Sequence, residues 1–259
     1  ALAADASSAL GDPLRRLLIS GAALRMFLLV ALAVTGGVRR ALPPVLSVGE
    51  VDERSRVDAR QRLGAGPGQR PVLGCGEASL RKGTDLFVEL AGYLASRAEV
   101  RFAWVGRRLR PFDRRLDLEV ALAGVEDRLT WAGEADDAGP YLAAADVLVM
   151  SSRDDPQPLV PLEAAMVGTP TAALERDGLA QLGIEGAALT APFPDVPALA
   201  ERVTTLLDDP GTVAQVVLAA RSRVETTQSP EVVVPLFVES LRSLLSSRPD
   251  PDPSPRPER

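Results

Sequence analysis

The chain has 259 residues, 46% of them hydrophobic and 25% charged, which is a globular composition long enough for one large or two small domains. Its formal net charge of -6 argues against a general nucleic-acid or anionic-membrane binder, because those partners reward clustered Lys and Arg. No histidine and a single cysteine, Cys75, exclude histidine-based catalysis, the usual zinc ligand sets and an internal disulfide, and imply a reducing compartment.

The first apolar run is Leu17 to Val34, LLISGAALRMFLLVALAV, about the length that spans a bilayer. Arg25 near its centre favours a buried or amphipathic helix over a membrane or targeting segment. Residues 49 to 70, GEVDERSRVDARQRLGAGPGQR, are charged and then Gly-rich, which predicts a short solvated helix and a flexible lead-in to a strand. Residues 1 to 70 are thus an N-terminal helical and linker region.

From Pro71 short apolar runs alternate with helical stretches, the pattern of a parallel sheet covered by helices on both faces, an α/β Rossmann-like fold. The expected order is strand Val72 to Cys75, helix Gly83 to Ser96, strand Val100 to Val105 and helix Pro111 to Ala123. Strand Arg128 to Trp131, helix Pro140 to Ala144, strand Val147 to Met150, helix Leu159 to Val167 and strand Thr169 to Ala173 follow. Helices over Val196 to Leu207, Thr212 to Val224 and Glu231 to Leu245 complete a domain over 71 to 246. Cys75, beside Leu73 and Gly74, reads as a buried strand end with a structural role. The tail, SSRPDPDPSPRPER, is Pro-rich without an apolar anchor, which predicts disorder over 247 to 259.

Two stretches carry candidate chemistry. The strand VLGCG is followed by EASLRKGTDLF, placing Gly76, Arg81, Lys82 and Gly83 where a strand end meets a helix start. In open α/β sheets that is where free helix N-H groups meet anions, so Arg81 and Lys82 could neutralise a diphosphate; two solvated charges in a turn are the alternative.

The second stretch, SSRDDPQPLVPLEAAMVGTP, runs from a strand into a polar loop and a helix. Pro158 and Pro161 are tolerated in a first turn, where N-H groups lack internal partners, leaving the amides of Leu159 and Val160 facing the strand end. Asp155 lies before that helix and Glu163 about 7.5 Å into it, so two carboxylates bracket its start. Carboxylates accept strong hydrogen bonds from sugar hydroxyls, which suits a ligand with hydroxyls at both ends and phosphates between, as in a nucleoside diphosphate sugar. The alternative is a capping Asp155 and an exposed Glu163.

Together RKGTDLFVELA, FAWVG, LTWAGE, PYLAAADVLVMSSRDDPQPLVPLEAAMVGTP and LTAPFPDVPALAERVTTLLDDP resemble the donor-binding C-terminal domain of family-4 glycosyltransferases of the GT-B fold, from about Pro71 to Pro210. The resemblance implies roles. Asp155, the first acid of the family's paired motif, would contact the transferred sugar, and Glu163, the second, the nucleotide ribose. Asp155 is shorter than the usual Glu, in a DP-x-P-LV form that resembles bacterial members. Lys82 would bind the donor phosphates, Arg81 would compensate for Glu77 where many members carry a basic residue after Gly76, the amides of Leu159 and Val160 would complete the cradle, and Gly133 and Glu134 would lie near the base.

The implied activity is retaining transfer of a sugar from a nucleoside diphosphate sugar to a glycan, lipid or small-molecule acceptor, with no metal, no cofactor and no nucleic-acid partner. Only about 70 residues precede Pro71, so the acceptor half of the fold is expected to be missing, shortened or supplied by a partner chain. A non-catalytic sugar-nucleotide-binding domain is the competing reading. A third places the chain in the cytoplasm, peripheral to the inner face of the membrane through 17 to 34.

Overall fold

The computed structural model describes residues 51 to 246, with side chains to 239, so the segment Leu17 to Val34 and the Pro-rich tail lie outside the described residues. The chain divides into two compact units after Val224. The larger unit holds helix α1 (Glu53–Arg62), then β1 (Arg70–Cys75), α2 (Thr84–Tyr93), β2 (Val100–Val105), α3 (Phe112–Ala123) and β3 (Leu129–Gly133). It continues with α4 (Gly139–Ala144), β4 (Val147–Met150), α5 (Val160–Met166), β5 (Thr171–Glu175), α6 (Asp177–Ile184), β6 (Leu189–Pro192), α7 (Val196–Asp208) and most of α8 (Pro210–Thr227). The smaller unit carries α9 (Pro230–Ser246), which contains Pro235.

All six strands are parallel and ordered β3-β2-β1-β4-β5-β6. The chain builds outward from β1 to β3, then returns to lay β4 on the other side of β1. That reversal leaves a crevice at the carboxyl ends of β1 and β4, because the helices after the two strands leave on opposite faces. The register pairs Val72 with Val147 and Gly74 with Val149, so the two strand ends lie level.

The central strands read as continuous apolar runs because both faces are covered: β4 is buried throughout, and β1 from its second residue on. Under α2 and α3 the core is aromatic, with Phe87 edge-on to both Phe102 and Trp104. Trp104 fills the space beside Gly74, where a Cβ would overlap its ring, and donates Nε1-H to the carbonyl of Gly76 at 2.8 Å.

The expected strands β2 and β4 coincide with the observed ones residue for residue, while helix α2 stops at Tyr93 and not Ser96. Strand β5 starts at Thr171 and not Thr169, because Thr169 is a buried turn residue whose hydroxyl donates to the carbonyl of Leu142 at 2.6 Å. Helix α6 and strand β6 were not expected; Gly178, Gly183 and Gly186 interrupt any periodic pattern there, and β6 is a four-residue edge strand ending in proline. Helix α1 is docked rather than merely solvated: Ala59 and Leu63 are buried, and Arg60 donates to the carbonyl of Ala144 at 3.1 Å.

Candidate active site

The site is built on a close approach of two loops across the β1/β4 crevice. Gly83 ends the first loop with φ 66, a left-handed conformation, and a Cβ there would overlap the carbonyl oxygen of Ser151, the residue after β4. Ser151 Oγ in turn donates to the carbonyl of Gly83 at 2.8 Å. Backbone joins backbone where the amide of Arg153 donates to the carbonyl of Arg81 at 2.8 Å.

This stitching places Lys82 against Asp155. Lys82 Nζ lies 2.6 Å from Asp155 Oδ2, with side chains only 15% and 12% exposed. The aliphatic stem of Lys82 lies over Gly76, where a Cβ would come 3.4 Å from Lys82 Cε. That is ordinary contact, so it is the positive φ of 122 that calls for glycine at position 76.

Arg81 donates Nη1-H to the carbonyl of Asp154 at 3.1 Å, giving the two loops another bond. Leu159 is the residue before α5 and Val160 its first residue. The amides of Leu162 and Glu163 both reach back to the carbonyl of Leu159 at 2.9 Å, while those of Leu159 and Val160 precede the first helical bond, where N-H groups lack intrahelical partners. Glu163 stands in the first turn of α5, and its charge reaches the thiol of Cys75 at the end of β1. Burial first, and Glu163 second, push that thiol up to about 11, against the opposing pull of Lys82. Lys82, Glu163 and the end of β1 thus share one electrostatic neighbourhood.

Gly133 and Glu134 are on the same edge of the sheet but farther away. Gly133 closes β3 and accepts from the amide of Gly106 at 2.8 Å, two strands from β1, or about 10 Å at ordinary strand spacing. Glu134 is exposed beyond it. Glu77 pairs with Arg107 from the β2-α3 loop at 3.5 Å.

Sequence reasoning missed three contributors. Arg153 makes a two-pronged ion pair with the buried Asp85, both contacts 2.7 Å. Asp177, at φ 45, receives the amide of Asp155 on its Oδ2 at 3.4 Å. Gly178 lets α6 abut the carbonyl of Pro156 and the ring of Pro158. The Asp-Gly pair at 177 and 178 is the one local signal, since that dipeptide marks turns of unusual φ. Among the described residues no group of three His, Cys, Asp or Glu side chains could hold a metal ion, and no helix is long and apolar enough to cross a membrane.

A six-stranded parallel sheet with helices around it is a Rossmann-like α/β fold, and it matches one half of GT-B glycosyltransferases. Residues 70 to 209 match the family described as glycosyl transferases group 1, and the chain belongs to that family. The chain is 31% identical over 162 residues to the lipopolysaccharide core biosynthesis mannosyltransferase LpsB of Rhizobium meliloti, covering 60% of this chain and 46% of LpsB. Among solved structures it is similar to sucrose-phosphate synthase from Thermosynechococcus elongatus, at 27% identity and TM-score 0.65, covering 74% of this chain and 49% of that one. It also shares its fold with Anabaena Alr3699/HepE in complex with UDP, at 21% identity and TM-score 0.67, covering 74% and 54%. The chain spans about half the length of each of these three relatives.

Proposed function

We propose that the β1/β4 crevice binds a nucleoside diphosphate sugar and that the protein is a retaining, family-4-type glycosyltransferase. The observation that carries this is the cation of Lys82, held at the switch point by the Gly83-Ser151 contact and paired with Asp155. Family membership and the UDP complex of a protein with the same fold support it.

In this reading the donor diphosphate lies across the start of α5, facing Lys82 and the amides of Leu159 and Val160, with Arg81 adding charge at the rim. Glu163 accepts hydrogen bonds from the ribose, and Asp155, paired with Lys82, accepts one from the sugar. As the bond from sugar to diphosphate breaks, negative charge grows on the leaving oxygen, and a fixed cation and fixed dipoles stabilise it without reorganising. Lys82 is already tied to Asp155, so it is pre-set for that role.

Calorimetric titration with UDP, GDP and ADP sugars tests the proposal. Binding of one donor, weakened in Lys82→Ala and in Glu163→Ala, is the expected result; unchanged affinity in both variants overturns the site. Transfer or donor hydrolysis distinguishes a transferase from a binding-only domain.

A further inference from the structure

Lys82 and Asp155 come from loops that meet only in the folded state, and their 2.6 Å contact requires the loops to keep a fixed offset. Arg153 lies two residues before Asp155 and Asp85 three after Lys82. From the β4 loop Arg153 makes four bonds to the β1-α2 segment. Its amide goes to the carbonyl of Arg81, its Nη1 to the carbonyl of Leu80 at 2.9 Å and to Asp85 Oδ1, and its Nη2 to Asp85 Oδ2. Asp85 is in the first turn of α2 with a side chain 8% exposed, and Arg115 adds a second, more distant cation at 3.7 Å.

We infer that the Asp85-Arg153 pair is a positioning device that sets Lys82 against Asp155 and thereby the donor-diphosphate cradle. The inference rests on the proposed donor site. Neither residue needs to touch the ligand. The planar guanidinium fork fixes both distance and orientation, which a flexible ammonium at the same place would not do. An exposed ion pair would carry little weight, but Asp85 is buried, so its two bonds are not traded freely for water. A misplacement of about 1 Å, even from a change far from the reacting atoms, can cost on the order of a hundredfold in rate.

A double-mutant cycle tests this with whichever of UDP, GDP and ADP the unaltered chain binds, measured by calorimetry on variants whose folding is checked by circular dichroism. Asp85→Asn is expected to weaken nucleotide binding about tenfold when Lys82 is present, and by less than about twofold in the Lys82→Ala background. Arg153→Lys, which keeps the charge and loses the fork, is expected to reproduce the effect and serves if Asp85→Asn does not fold. Equal losses in both backgrounds, or a folded variant with full affinity, overturn the inference while leaving the donor site standing. Failure of the unaltered chain to bind any of the three nucleotides overturns the donor site, and the inference with it.

Discussion

Gly83 and Ser151 face each other with no room for a side chain: the Cβ that Gly83 lacks would overlap the Ser151 carbonyl oxygen, a fixed backbone atom. Alanine at Gly83 must also adopt φ 66. Overpacking against backbone and the left-handed conformation together predict a loss of at least about 2 kcal/mol for Gly83→Ala. Urea denaturation measures it, and a midpoint equal to that of the unaltered chain would show that the loops can part without cost.

The Lys82-Asp155 pair should behave as a coupled unit. Lys82→Met removes the cation from a largely buried carboxylate and is expected to cost about 1–3 kcal/mol, below the range for fully buried pairs because both side chains keep some exposure. Lys82→Met combined with Asp155→Asn should cost less than the sum of the single changes by about 1 kcal/mol or more. Additive unfolding free energies would mean that the pair contributes nothing by its contact.

Cys75 predicts a pH dependence in alkali. Its thiol titrates at about 11 in the folded protein against the ordinary 9.0, so the unfolded chain gives up the proton first. Stability from this group is complete below pH 9 and is lost as pH rises toward 11, by up to about 2–3 kcal/mol. Cys75→Ala should show a shallower decline across that window in denaturation midpoints. A decline of equal slope in both proteins would contradict the assignment.

The loop that carries Asp155 leans on α6. A Cβ at Gly178 would lie 2.5 Å from Pro158 Cδ and 2.7 Å from the carbonyl oxygen of Pro156. Gly178→Ala is therefore expected to destabilise by about 1–3 kcal/mol and to weaken nucleotide binding. Retention of both the urea midpoint and nucleotide affinity would show that the loop is not held from that side.

The chain's local patterns determine a good part of this protein. Strands β2 and β4 and helix α3 were legible because buried parallel strands are unbroken apolar runs, and because turn residues separate them from the helices. Lys82, Gly83 and Glu163 were legible for the same reason, since each sits at or beside a helix start that the pattern marks, and Asp155 lies in the polar loop between β4 and α5. Helix α6 and strand β6 were not, because glycines break their periodicity and an edge strand needs no long apolar run. Which residues meet was decided only by the tertiary structure. Lys82 and Asp155 are 73 positions apart, and no local signal states that β4 returns to lie beside β1. That strand order brings the two loops together, and the bonds of Arg153 and the bare Cα of Gly83 then hold the cation against the acid.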